Sequence, residues 1–111
     1  MPVDEFASLR WSMVQIVALY VQHSSMEIGK DALDDKVMQA LARVPRHEFV
    51  PSEVRPYAYH DGPLPIGYDK TISQPFIAAL MTDLLDIRST DKVLEVGTGL
   101  GYHTALLASL A

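Results

Sequence analysis

Three of the six glycines in this 111-residue chain stand at alternate positions, 97, 99 and 101. The surrounding segment is Val93-Leu94-Glu95-Val96-Gly97-Thr98-Gly99-Leu100-Gly101-Tyr102. Neither a helix nor a strand runs well through alternate glycines, because each gives up a packing side chain and frees the backbone for left-handed conformations. Residues 92–96 before them are short, apolar and β-prone, and read as a buried strand. Residues 102–111 after them carry Leu106, Leu107 and Leu110 at helical spacing. Strand, glycine turn and helix start in this order let backbone pass close to a ligand, with unpaired amides waiting at the helix N-terminus. A dinucleotide fingerprint, Gly-x-Gly-x-x-Gly, would put its third glycine at 102, where Tyr102 stands instead. The spacing found is Glu-x-Gly-x-Gly-x-Gly. The simpler alternative is that the glycines only make a tight turn between strand and helix.

Charge and composition exclude several classes of function. A formal net charge of −5 has the wrong sign for a module that grips nucleic-acid phosphates. With no cysteine, the chain has no disulfide framework, thiolate zinc site or cysteine nucleophile, and a reducing, cytoplasmic compartment is the expectation. His23, His47, His60 and His103 show no paired ligand spacing, so no metal is expected. They read as loop residues in hydrogen bonds, with His60 beside Asp61 a candidate acid–base pair. The apolar stretch at 11–21 is broken by Ser12 and Gln15 and falls short of the roughly 20 residues a spanning helix needs. Acidic Asp4 and Glu5 precede it, which is the wrong flank for a secretory signal.

The rest of the chain divides by pattern. Residues 6–22 are apolar almost all round and predict a helix packed on more than one side, or a partner-binding one. After a polar break at 24–31, Asp34 can cap a helix whose apolar face is Val37, Met38, Leu41 and Val44, with Pro45 as its stop. Six of the seven prolines lie between 45 and 75, which excludes a continuous helix and predicts an ordered loop. Long loops inside compact domains are uncommon unless they form lids or binding surfaces. Ser73 can then cap a helix that accepts Pro75 in its first turn and whose apolar positions are Phe76, Ile77, Leu80, Met81, Leu84 and Leu85.

The glycine segment resembles the first motif of class I S-adenosylmethionine-dependent methyltransferases. The resemblance narrows when two further stretches are read in order: Val44-Pro45-Arg46-His47-Glu48-Phe49-Val50-Pro51, then Thr71-Ile72-Ser73-Gln74-Pro75, preceded by Ala58-Tyr59-His60-Asp61 and Pro65-Ile66-Gly67. Over roughly residues 37–107 this order resembles the protein-L-isoaspartate O-methyltransferase family. The resemblance implies methyl transfer from S-adenosylmethionine to the α-carboxylate of L-isoaspartyl residues in damaged proteins, which can then cyclise and reopen as aspartate. It implies that Thr71 and Ser73 lie over the substrate carboxylate, and that Glu95, Gly97, Thr98, Gly99 and Gly101 surround the cofactor. Tyr68-Asp69-Lys70 departs from the Gln-Gly-Gln-like stretch of many bacterial members.

The expected fold is therefore α/β, a Rossmann-like methyltransferase fold with a helical N-terminal extension, incomplete in this chain. Residues 1–74 would form the helical and substrate-loop region, and 75–111 the start of the cofactor-binding domain. A doubly wound sheet needs several parallel strands, so most of it is expected beyond residue 111. An acid about 20 positions past the glycine turn, which would hold ribose hydroxyls, also falls past the end. These 111 residues alone are then expected to be inactive, to expose Val93, Leu94 and Val96, and to self-associate or stay partly disordered. Two other functions are consistent with the residues: a non-catalytic remnant that binds or dimerises through its apolar helix, and a methyltransferase with another acceptor.

Overall fold

A computed structural model describes residues 4–67 and 70–111. Helix α1, Ala7–His23, buries Met13, Val17 and Val21, one residue per turn along a single stripe. The polar break that follows holds one short helical turn, α2, Ser25–Ile28, closed by Gly29 in a left-handed conformation. Helix α3, Asp35–Arg43, begins as expected: Asp34 Oδ1 accepts the Lys36 amide at 2.9 Å. Its face of Val37, Ala40 and Leu41 is buried, Met38 packs against it, and Pro45 follows the last turn.

The proline-rich stretch is more regular than a loop. It contains two 3-10 turns, Arg46–Phe49 and Ser52–Tyr57, and an antiparallel hairpin of β1, Leu64–Gly67, and β2, Lys70–Ile72. Leu64 opposes Ile72 and Pro65 opposes Thr71, with the register shifting between Pro65 and Gly67. Leu64 and Ile72 are buried together, and alternation along the strand leaves Thr71 and Ser73 exposed on the other side. The departure at Tyr68-Asp69-Lys70 falls largely outside the described residues, which take up again at Lys70.

Helix α4, Pro75–Leu84, corrects two expectations. Gln74, not Ser73, occupies the N-cap, and no side chain caps the helix; Pro75 does sit in the first turn. The apolar positions are also only partly inward: Phe76 and Leu80 pack against the core beside Pro75, Ala78, Ala79, Thr82 and Asp83, whereas Ile77, Met81, Leu84 and the following Leu85 are exposed. Small side chains let α4 approach α1 and α3 closely, and both inward polar groups are satisfied. Thr82 donates to the Ala78 carbonyl at 2.7 Å; Asp83 accepts the Asp34 amide at 2.8 Å and pairs with Lys30.

Residues 92–96 are the third correction. They form no strand, because no neighbouring strand among the described residues meets their backbone groups. Leu94 is 89% and Val96 88% exposed, as expected of an apolar run without a sheet to enter. Helix α5, Tyr102–Leu110, then turns back and buries Tyr102, Leu106, Leu107 and Leu110 against α3 and α4. The described architecture is thus four longer helices packed on one another and one small antiparallel sheet, compatible with part of a methyltransferase domain. Among the described residues no helix is long and apolar enough to cross a membrane.

Candidate functional site

The hairpin and the glycine turn meet across an open cleft. Thr71 and Ser73 line one side; Glu95, Gly97, Thr98, Gly99 and Gly101 line the other. All seven residues singled out in the sequence therefore share one cleft, although more than 20 positions separate the two groups in the chain. Ile66, Tyr102 and His103 are among the other residues of the wall.

The hairpin side follows from strand alternation. Ile72 anchors the segment in the core, so its two neighbours face the same way. Neither hydroxyl is engaged in capping α4.

The turn side follows from its glycines. Gly99 has φ +55° and Gly101 φ +92°, both in the region L residues avoid, and the Gly101 amide closes the turn on the Thr98 carbonyl at 3.0 Å. A Cβ placed on Gly97 or Gly99 would meet no protein atom within 4 Å. Bare backbone thus borders free space at these positions, which is the cradle a bound group can fill. Gly101 leads directly into α5, whose first amides have no partner in the preceding turn. Glu95 is half-buried and accepts a hydrogen bond from the Thr104 hydroxyl.

Three residues near the cleft were not legible as site residues. Tyr102, which stands where a dinucleotide fingerprint would have its third glycine, is buried, with Phe49 edge-on at 6.0 Å between ring centroids. Arg46 lies over its ring, Cζ 4.8 Å from the centroid. His103, read as a loop residue, is in the first turn of α5, and its Nε2 is 2.8 Å from Thr82 Oγ1. The Thr82 proton goes to the Ala78 carbonyl, so His103 donates from Nε2 to the Thr82 oxygen. Elsewhere, His47 Nδ1 bonds the Tyr59 hydroxyl at 3.0 Å. Asp61 accepts from Gln74 Nε2 at 3.0 Å and makes no hydrogen bond with His60 among the described residues.

Burial pushes the Tyr102 hydroxyl up to about 12, with the Arg46 charge pulling it back only in part. An ordinary tyrosine ionises near pH 10, so the folded chain keeps a proton that the unfolded chain surrenders between about pH 10 and 12. The stabilisation is complete below that window and disappears as pH rises through it. Tyr102→Phe is expected to flatten the fall in stability across the window, measured by denaturant midpoints at stepped pH. Identical slopes in wild type and variant would contradict the burial of this hydroxyl.

The family model for Protein-L-isoaspartate(D-aspartate) O-methyltransferase (PCMT) matches residues 16–111. The chain belongs to this family. It is 60% identical over 111 residues to protein-L-isoaspartate O-methyltransferase 1 of Polaromonas sp. (strain JS666 / ATCC BAA-500), an alignment that covers 100% of this chain and 47% of the relative. It is 55% identical over 105 residues to protein-L-isoaspartate O-methyltransferase 2 of Syntrophobacter fumaroxidans, with 95% and 42% covered. It is 64% identical over 83 residues to protein-L-isoaspartate O-methyltransferase 2 of Nitrosococcus oceani, with 75% and 38% covered. The chain spans less than half the length of these family members.

Proposed function

We propose that the full natural protein transfers a methyl group from S-adenosylmethionine to the α-carboxylate of L-isoaspartyl residues in proteins and peptides, a repair reaction in the cytoplasm. The observation that carries this reading is the convergence of Thr71 and Ser73 with the glycine turn on one cleft. Glu95, Gly97, Thr98, Gly99 and Gly101 would hold the cofactor: bare backbone for close approach, the Glu95 carboxylate for an ammonium group and the first amides of α5 for a carboxylate. Residues 75–111 would open a Rossmann-like cofactor domain, and residues 1–74 would supply the helical and substrate-loop region.

The chain's own groups suit this chemistry. When bound, S-adenosylmethionine supplies a sulfonium-activated methyl group, whose sulfur leaves with the bonding electrons. A carboxylate has a pKa near 4 and is already ionised at neutral pH, so no general base is needed. What remains is alignment, and the Thr71 and Ser73 hydroxyls can each donate to a carboxylate oxygen while one lone pair stays directed at the methyl. A Lys or Arg in their place would hold the oxygens more tightly and reduce their nucleophilicity.

The test is methyl transfer by the full natural protein to matched isoaspartyl and aspartyl peptides, with labelled S-adenosylmethionine. Base-labile label on the isoaspartyl peptide alone is expected. Label on neither peptide, or equally on both, would overturn the assignment of substrate.

A further inference from the structure

The motif Val44-Pro45-Arg46-His47-Glu48-Phe49-Val50-Pro51 contributes no residue to the cleft wall, yet it contains the most deeply buried charge in the described structure. Arg46 is 0% exposed, and among the described residues no carboxylate pairs with it. Burial lowers its proton affinity, and the guanidinium nevertheless stays charged. An unpaired buried cation is costly, so its contacts indicate what it is kept for. Nε donates to the Ala58 carbonyl at 2.6 Å, and Nη2 donates to the Ser73 carbonyl at 2.7 Å. The same group lies over the ring of Tyr102, the residue that follows Gly101.

We infer that Arg46 is a positioning residue that fixes the Thr71–Ser73 segment against the glycine turn. One group reaches both: an N–H of its fork donates to the Ser73 carbonyl, and its charge lies over the Tyr102 ring. The distance between the Ser73 hydroxyl and the turn is thereby set by a side chain that touches neither ligand. The bond to Ala58 fixes the fork itself, so the guanidinium cannot swing away from Ser73 without losing two hydrogen bonds. This arrangement also accounts for tyrosine at 102, where the ring forms a floor for the cation that glycine could not provide. A lysine at 46 would keep the positive charge above the ring, but as a point donor on a flexible stem it cannot hold both carbonyls in the fork geometry.

The inference rests on the proposed reaction for its kinetic part only. In the full natural protein, Arg46→Lys is expected to lower kcat/KM for an isoaspartyl peptide by about tenfold or more, while affinity for S-adenosylhomocysteine stays within about twofold. Arg46→Met should lower kcat/KM further. Amide hydrogen exchange should quicken in residues 70–74 in both variants and stay unchanged in α1. Unchanged kcat/KM in both variants would overturn the inference. So would a parallel loss of peptide kinetics, cofactor affinity and α1 protection, which is the pattern of general destabilisation. If the wild type methylates no isoaspartyl peptide, the reaction assignment fails by itself, and exchange decides: faster exchange confined to 70–74 in the variants upholds the positioning role, and unchanged exchange overturns it.

Discussion

Ser73→Asp is expected to leave the full natural protein folded and able to bind S-adenosylhomocysteine, while methylation of an isoaspartyl peptide falls by about a hundredfold or more. The Ser73 side chain is exposed in the cleft and makes no hydrogen bond to the described residues, and the cap of α4 belongs to Gln74, so the substitution removes nothing the fold uses. The cost falls on the substrate. Two like charges about 4 Å apart near a protein surface repel by up to about 4 kcal/mol, and about 1.4 kcal/mol corresponds to a tenfold change, so an interaction that keeps about two thirds of that repulsion accounts for a hundredfold loss. Ser73→Ala removes one hydroxyl donor without adding charge and is expected to cost less. Circular dichroism and calorimetric titration check folding and cofactor binding alongside the rate. An Asp variant that methylates at the wild-type rate would remove Ser73 from the substrate site.

Gly99→Val is expected to weaken S-adenosylhomocysteine binding at least tenfold, or about 1.4 kcal/mol. Two effects act together. The φ of +55° is one that a β-branched residue adopts only with strain, of the order of 1–2 kcal/mol. The new side chain would also project into space that no protein atom occupies within 4 Å, the space assigned to the cofactor. Gly62→Ala is the control, since Gly62 has no left-handed φ and its Cβ would meet only His60 Nδ1, at 3.8 Å. Calorimetry should return the wild-type Kd for the control. An unchanged Kd for Gly99→Val would separate the glycine turn from cofactor binding.

The elements most legible in the sequence are those that local physics decides. The run at 6–22 becomes α1 over Ala7–His23, and the Asp34 cap and Pro45 stop bracket α3 within a residue or two. Elements that depend on distant partners are less legible. The β1–β2 hairpin was invisible because its strands are three or four residues long and contain Pro65, and its stability comes from burying Leu64 and Ile72 against the core. The inward face of α4 is only partly legible, through Phe76 and Leu80, because Thr82 and Asp83 look like solvent residues. Their burial depends on the Ala78 carbonyl, the Asp34 amide and Lys30, and the last two lie about fifty positions earlier in the chain. Residues 92–96 have the composition of a strand, but composition provides no neighbour to pair with.

The candidate site shows the same division. Thr71, Ser73, Glu95 and the glycine turn could be singled out because each lies in a short motif with its own chemical meaning, and the fold gathers them into one cleft. Arg46 and His103 could not. Arg46 acts through the carbonyls of Ala58 and Ser73 and the ring of Tyr102, 12, 27 and 56 residues further on, and His103 through Thr82, 21 residues earlier. Nothing in the sequence links these residues. The available signals were an arginine inside a proline-bounded apolar motif and a tyrosine where glycine would close a different fingerprint.

The central claim is that one cleft holds cofactor and substrate carboxylate side by side, and residue-resolved NMR titration of the full natural protein tests it most directly. Adding S-adenosylhomocysteine should shift the amides of Gly97, Thr98, Gly99 and Gly101, and then adding an isoaspartyl peptide should shift those of Thr71 and Ser73. A matched aspartyl peptide should leave Thr71 and Ser73 where they were. Shifts confined to another surface, such as the second cleft around Lys30, Asp83 and Asp86, or no shift in the glycine turn at saturating S-adenosylhomocysteine, would contradict the account.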